Sequence, residues 1–134
     1  MSTSSSASDA IEAWKKVLGA DSVDHDAQSL ERHTNAVCGS KRDVVAVLKP
    51  TSHEHVERIV AVANEHNVPI YPISRGKQWG MGSKLPVKDG AAIVDLSGMD
   101  RIIEINERFH YVVVEPGVTQ RQLIDHIKAN GLEL

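Results

Sequence analysis

The chain has a single cysteine, no long hydrophobic run and no excess of positive charge, and each shortage excludes a class of protein. Cys38 alone cannot form an internal disulfide, so we expect a reducing compartment, with the cytoplasm as the default. No apolar run approaches the length of a membrane span. The first six residues carry neither positive charge nor a hydrophobic core, which excludes a secretory signal. The net charge of −3, without a basic cluster, argues against a nucleic-acid partner, and no membrane partner is expected.

What the chain does contain suits one domain, since its 134 residues can bury a single core. Residues 1–7 are small and polar, and we predict a disordered tail there. Residues 8–42 are predicted to form an N-terminal helical segment, whose first helix opens at Ser8 or Asp9. The organised part of the chain is predicted for residues 43–134.

The first half of that organised part has the pattern of a β-α-β unit. Val44–Leu48 is a compact apolar run, which is typical of a buried strand. Thr51 and Glu54 have the spacing of a capping box, a hydroxyl followed three residues later by a carboxylate, and they predict the start of a helix. Residues 68–73 are predicted as the next strand. Such units nearly always have a right-handed crossover.

The second half predicts further strands and a closing helix. The predicted strands are 91–96, 101–105 and 109–115. The last two flank a hairpin turn at 106–108, and Pro116 with Gly117 ends the second of them. Thr119 and Gln122 form a second capping box, which opens the final helix. The fold class is therefore predicted as α+β, a small mixed β-sheet with a β-α-β unit plus a hairpin, flanked by helices.

The most informative segment is the glycine-rich loop that follows the strand at 68–73. Its candidate ligand-binding residues are Ile73, Ser74, Arg75, Gly76, Lys77, Gln78, Trp79, Gly80, Met81, Gly82 and Ser83. Three glycines in seven positions let the backbone approach a ligand closely, and consecutive amides in such a loop can turn inward to bind an anion. The loop is thus a candidate phosphate site. A purely structural turn is the alternative, because glycine clusters also serve turns.

Two familiar phosphate motifs do not describe this loop. A Walker loop needs Ser or Thr after its Gly-Lys pair, whereas Gln78 follows Gly76-Lys77 here. A dinucleotide fingerprint leads directly into a helix, whereas Pro86 soon follows Gly82 and would sit badly in a helix interior. The loop is therefore predicted to bind phosphate, if it does, without a helix dipole.

Four segments in order give the chain a family resemblance. They are the strand ending at Pro50 with its capped helix, residues 68–76, residues 93–102, and residues 113–119. Together they resemble the first part of the FAD-binding (PCMH-type) domain of the vanillyl-alcohol oxidase and p-cresol methylhydroxylase flavoprotein family. The resemblance extends from about residue 19 to residue 134, nearly the whole chain.

The resemblance implies a cofactor site. In that family the glycine loop wraps the FAD pyrophosphate, mostly through main-chain amides, so the loop residues named above, with Pro116 and Gly117, are expected to bind FAD. Arg75 either contacts a phosphate or is a solvated surface residue. Trp79 either packs under the loop or flanks the flavin. Gln78 and Met81 stand where family members often have Asn and Tyr. Because some relatives attach the flavin covalently through a histidine near position 78, Gln78 implies non-covalent FAD.

The resemblance also implies a function. We expect the FAD-binding lobe of a flavin-dependent oxidoreductase that acts on phenols or alcohols. In full-size relatives a second flavin lobe and a substrate domain follow, so these residues alone are expected to lack catalysis and to hold FAD weakly or not at all. No catalytic residue and no metal ligand is predicted. The alternatives are a non-catalytic interaction module, which self-associates or complements another flavoprotein lobe, and a binder of another nucleotide.

Overall fold

The computed structural model describes residues 3–34, 41–76 and 84–132, and it has the predicted α+β fold. The helices are α1 (Thr3–Leu18), α2 (Ala27–Thr34), α3 (His53–Glu65) and α4 (Gln120–Ala129). The strands are β1 (Val23–Asp24), β2 (Val44–Leu48), β3 (Ile70–Ile73), β4 (Ala91–Asp95), β5 (Ile102–Asn106) and β6 (Tyr111–Val114). Short 3-10 helices lie at Ala20–Ser22 and Leu96–Gly98. None of the helices in the described ranges combines the length and the apolar character that crossing a bilayer demands.

The main sheet is mixed and has the strand order β1-β2-β4-β3. The strands β2, β4 and β3 run parallel, and β1 pairs antiparallel with β2. The chain passes from β2 through α3 to β3, which is not adjacent to β2 in the sheet. The later strand β4 lies between β2 and β3. Because β2 and β4 are buried on both faces, both read as continuous apolar runs in the sequence.

Strand alternation divides the core of this sheet into two clusters. On one face Leu48 and Val94 pack with Trp14 of α1 and Ile59 of α3. The indole nitrogen of Trp14 donates a hydrogen bond to the backbone oxygen of Ile59 at 3.2 Å. The polar N–H group of this buried ring therefore has a partner. The other face forms a smaller cluster. Its buried members are Val44, Val47, Ile73 and Ile93, with Leu30 and Tyr71 packed against them.

The C-terminal part of the chain is a separate two-stranded sheet, β5-β6, followed by α4. Its side chains are far less covered than those of the main sheet. Ile103 is 62% exposed, Phe109 is 66% exposed and Val113 is 41% exposed. No residue of α4 is buried. This region therefore gains little from apolar burial within the described residues.

The structure corrects three details of the predicted elements. The first helix begins at Thr3 rather than at Ser8 or Asp9, and the Ser6 hydroxyl donates to the backbone oxygen of His66 at the end of α3. The cap of α3 is Ser52 rather than Thr51, because the Ser52 hydroxyl accepts from the amide of His55.

The third correction is the strand β1, which lies inside the segment that was predicted to be helical. It has only two residues and is stabilised by pairing with β2, so it leaves no periodic pattern. The cap of α4 is confirmed, since Thr119 and Gln122 exchange both bonds of a capping box.

Candidate functional site

The three parallel strands end at one edge of the main sheet. Leu48, Ile73 and Asp95 are the last residues of β2, β3 and β4. In open sheets with helices, ligands bind outside the carboxyl ends of parallel strands. The glycine-rich loop begins at this edge, directly after the buried Ile73.

The two flanks of the glycine-rich loop lie against each other. Gly76 has a φ of +62°, and a Cβ added there would lie 2.9 Å from Cδ of Lys84. Glycine is favoured at this position, because the left-handed backbone strains other residues and a Cβ would displace the Lys84 side chain. The two ends of the loop, Gly76 and Lys84, therefore lie next to each other at the sheet edge. The predicted site residues Lys77, Gln78, Trp79, Gly80, Met81, Gly82 and Ser83 lie outside the described residues.

Arg75 connects this loop to the predicted Pro116-Gly117 turn, 42 residues further along the chain. Its Nε donates to the backbone oxygen of Gly117 at 2.5 Å. The sequence-predicted residues at the end of β3 and those at the start of α4 are therefore brought together. Ser74, which is exposed, accepts the Arg75 amide at its hydroxyl oxygen. Pro116 is also exposed.

Gly117 is packed too closely for any side chain. A Cβ added there would lie 2.7 Å from the backbone oxygens of Met99 and Ser97. Its amide donates to the Met99 oxygen at 2.8 Å, and its own oxygen accepts from Arg75. Both backbone polar groups of Gly117 are thus used inside the chain. We conclude that the glycine positions this turn against the 3-10 helix at Leu96–Gly98.

The guanidinium of Arg75 has a second partner in Asp100, whose Oδ2 lies 3.2 Å from Nη2. Neither of the two roles considered for Arg75, phosphate contact or simple solvation, includes this pair. Its contact with a phosphate stays a prediction. Asp100 was missed from the sequence because its partner is 25 residues away and no periodicity or motif marks a lone carboxylate in a connection.

A second ion pair fixes the base of the same turn. Glu115 is only 7% exposed, and Arg101 donates to it from the backbone amide at 2.8 Å and from Nη2 at 2.6 Å. The hydrogen bonds from the Arg101 side chain and amide hold the pKa of Glu115 below its usual value, and they outweigh the opposing effect of burial. On the sheet side, Asp95 caps the 3-10 helix by accepting from the amide of Ser97 at 2.9 Å.

The described part of this edge fits a diphosphate group. The loop that begins and ends here is rich in glycine, and the main-chain amides of such loops need no charge of their own to bind an anion. Arg75 and Lys84 place cationic side chains at the two flanks of that loop. Within residues 3–34, 41–76 and 84–132, no group of three or more His, Cys, Asp and Glu side chains has the arrangement of a metal site.

Comparison with known proteins identifies relatives over nearly the whole chain. The profile of the family described as FAD binding domain matches residues 44–134. The 1'-carboxy-chondrochloren decarboxylase of Chondromyces crocatus is 40% identical over 125 residues, which are 93% of this chain and 23% of that protein. The flavoprotein subunit of 4-cresol dehydrogenase [hydroxylating] from Pseudomonas putida is 35% identical over 126 residues, 92% of this chain and 24% of that protein.

A solved structure gives the same result in three dimensions. The crystal structure of p-cresol methylhydroxylase with substrate bound superposes with a TM-score of 0.90 at 34% identity. The match covers 96% of this chain and 25% of that one. The chain therefore spans about a quarter of the length of these relatives.

Proposed function

This chain belongs to the FAD binding domain family, of the p-cresol methylhydroxylase and vanillyl-alcohol oxidase type, and has FAD as its cofactor; we propose that it holds the FAD diphosphate at the carboxyl edge of its parallel sheet. The observation that carries the proposal is the hydrogen bond from Arg75 to Gly117, which joins two predicted cofactor segments distant in sequence. The adjoining loop flanks at Gly76 and Lys84 support the same location.

Each part of the site has a distinct task in this proposal. The amides of residues 74–83 bind the diphosphate oxygens, and the positive charges of Arg75 and Lys84 attract the anion. Gly117 sets the distance between the turn and the sheet edge, since its own backbone groups are engaged. Ile73 anchors the loop in the core of the sheet. No covalent bond to the flavin is expected from Gln78, because an amide side chain is a poor nucleophile.

The whole protein is proposed to be an oxidoreductase of phenolic or alcohol substrates, in line with the similarity to 4-cresol dehydrogenase [hydroxylating] and p-cresol methylhydroxylase. Bound FAD would supply the redox chemistry, while the chain supplies binding and orientation. The residues of this chain alone are expected to show no catalysis. Because ligand sites depend on burying most of the ligand, a single lobe should bind FAD more weakly than a complete enzyme. A cytoplasmic location is proposed, on the strength of the single cysteine.

An interaction module is the second candidate function, and the β5-β6 region favours it. Ile103, Phe109 and Val113 expose large apolar side chains there. Exposed apolar side chains recruit partners, so the β5-β6 hairpin would either contact a complementary flavoprotein lobe or pair with a second copy. Size-exclusion chromatography with light scattering separates these outcomes. A concentration-dependent dimer supports self-association, and a strict monomer contradicts it.

The cofactor proposal is tested by titrating the purified chain with FAD and following flavin absorbance and fluorescence. A thermal-shift competition with NAD and ATP tests the nucleotide preference. Two glycine variants give a matched pair, since Gly76 and Gly90 have φ of +62° and +79°. Gly76 lies beyond the carboxyl end of β3, and Gly90 lies just before the amino end of the parallel strand β4. Gly76→Ala and Gly90→Ala should both lose about 1 kcal/mol of stability or more, because alanine is strained at positive φ.

Only Gly76→Ala should weaken FAD binding, because only Gly76 adjoins the proposed site. Equal FAD affinity of the two variants would contradict the location. Equal stabilisation by NAD, ATP and FAD would contradict the flavin preference and favour a general nucleotide binder.

A further inference from the structure

Arg75 and Asp100 form the centre of a polar link between the glycine-rich loop and α4. The Arg75 guanidinium donates to Gly117 through Nε and pairs with Asp100 through Nη2. Asp100 also lies 3.5 Å from the side-chain nitrogen of Gln122. One carboxylate therefore joins the residue that leads out of β3 with a residue in the first turn of α4.

Gln122 is itself fixed in place by the cap of α4. Its side-chain oxygen accepts from the Thr119 amide at 2.9 Å, and its own amide donates to the Thr119 hydroxyl at 3.1 Å. The cap bonds therefore hold the Gln122 side chain beside Asp100. Through this contact, the position of Asp100, and with it that of Arg75, is tied to the capped N-terminus of α4.

We propose that Asp100 is a positioning residue for the cofactor site, which orients Arg75 so that the start of the glycine-rich loop and the Pro116-Gly117 turn keep a fixed separation. This inference rests on the proposed location of the FAD diphosphate. It assigns Arg75 to the framework of the site, held by Gly117 and Asp100, rather than to direct contact with a phosphate.

The exposure of the pair supports a positioning role over a role in stability. The Arg75 side chain is 34% exposed and that of Asp100 is 47% exposed, so water screens their attraction. Ion pairs of this kind contribute little to the free energy of unfolding. A positioning role requires only that the two segments keep their separation, and the bond from Arg75 to Gly117 provides this geometrically.

The two possible roles of Arg75 predict opposite effects of removing the Asp100 charge. If Asp100 orients Arg75, then Asp100→Asn loosens the link and weakens FAD binding. If Arg75 instead binds phosphate, Asp100 competes for its guanidinium, and Asp100→Asn frees the cation and strengthens FAD binding. The sign of the change in FAD affinity therefore distinguishes a positioning residue from a competitor.

The test compares Asp100→Asn, Arg75→Ala and the double variant by FAD titration of the full chain. Glu12→Gln is the matched control, because it removes one carboxylate of an exposed ion pair with Lys15, on α1. Each single variant should raise the FAD dissociation constant about fivefold to tenfold, as expected for losing one ordinary hydrogen bond at a partly exposed site. The double variant should be no weaker than Arg75→Ala alone, because both residues act through one link.

Hydrogen exchange of the chain without FAD gives a second readout. Asp100→Asn and Arg75→Ala should speed exchange of the amides at 117, 118 and 122 about tenfold, whereas Glu12→Gln should leave them unchanged. The unfolding temperatures of Asp100→Asn and Glu12→Gln should differ little from that of the wild type, because both ion pairs are exposed. The inference is overturned if Asp100→Asn tightens FAD binding, if the single effects add, or if exchange at 117–122 is unaltered.

The proposed function and this inference fail in different ways. If Gly76→Ala binds FAD as tightly as the wild-type chain, the proposed cofactor location is contradicted, and the cofactor role of Asp100 falls with it, whatever the exchange data show. If the wild-type chain binds FAD but Asp100→Asn binds it equally well, only the inference fails.

Discussion

The main sheet and the C-terminal hairpin region contain similar apolar sequences but are stabilised in different ways. In the main sheet α1 and α3 cover one face, so Leu48 and Val94 are fully or almost fully buried. In the hairpin region, comparable side chains such as Ile103 and Val113 stay exposed. Burial therefore depends on which elements lie above a strand and not on the apolar pattern of the strand alone.

What holds the hairpin region to the rest is largely polar and steric. Gly117 packs against the backbone oxygens of Leu96, Ser97 and Met99, and Arg75 reaches Gly117 from the end of β3 in the main sheet. The Arg101–Glu115 pair closes the base of the hairpin itself. The proposed cofactor edge lies at this junction. We infer that the apolar core determines the stability of the protein, whereas the junction determines the geometry of the site.

The largest expected effect comes from comparing a buried isoleucine of the main sheet with an exposed isoleucine of the hairpin. Ile93 is 0% exposed in β4 and Ile103 is 62% exposed in β5. Ile93→Ala should lower the free energy of unfolding by about 2–5 kcal/mol, through lost burial and a cavity. Ile103→Ala should change it by less than about 0.5 kcal/mol. Urea denaturation measures both, and similar losses would show that the hairpin face is buried in solution.

The second comparison concerns two glycines at the junction. A Cβ at Gly117 would meet backbone oxygens at 2.7 Å, whereas at Gly98 the nearest atom is 3.4 Å away. Gly117→Ala should cost about 1–3 kcal/mol, because backbone must move to make room. Gly98→Ala should cost less than about 1 kcal/mol. Equal losses of stability for the two variants in thermal unfolding would contradict the close packing around Gly117.

Two helix caps test whether α4 unfolds separately from the main sheet, whereas α3 unfolds together with it. Thr119→Ala and Ser52→Ala should each cost about 1 kcal/mol at the termini of α4 and α3. Because α4 has no buried residue, Thr119→Ala should release the amides of α4 while those of β4 keep their exchange rates. Ser52→Ala should instead speed exchange across α3 and the sheet together, since α3 belongs to the core. Uniform effects of both variants would contradict a separable α4.

The smallest effect is a pH dependence from the ion pair at Glu115. The folded pKa of Glu115 is lowered by its hydrogen bonds to Arg101, so its stabilising contribution is complete above the unfolded value of about 4.3 and disappears as pH falls through the folded value. The difference in free energy of unfolding between the wild type and Glu115→Gln should be constant above about pH 5. It should shrink toward zero as the pH falls further. Glu57→Gln, on the exposed face of α3, corrects for the general change in net charge. A difference that widens on acidification would contradict this pair.

The sequence predicted those parts of the fold that local chemistry determines. The runs at Val44–Leu48 and Ala91–Asp95 read as buried strands, and Thr119 with Gln122 read as a cap, because each signal lies within a few residues. Contacts between distant segments were not readable. The pairing of β1 with β2 and the choice of Ser52 over Thr51 depend on tertiary context.

The same distinction between local signals and distant contacts applies to the candidate site. The loop glycines and the Pro116-Gly117 turn were named from the sequence as cofactor residues, and that role stays a prediction. The partners of Arg75 were not foreseen, since Asp100 and Gly117 reach it only through the folded sheet edge. The engagement of both Gly117 backbone groups likewise follows from packing against Met99, which no spacing rule reveals.

Amide NMR spectra of the ¹⁵N-labelled chain, recorded while FAD is added, test the central claim most directly. The account predicts shifts concentrated in residues 74–84 and 116–118, with the hairpin turn at 107–110 unchanged. Shifts centred on the hairpin, or saturating FAD with no change around Gly76, would contradict a diphosphate site at the carboxyl edge of the sheet.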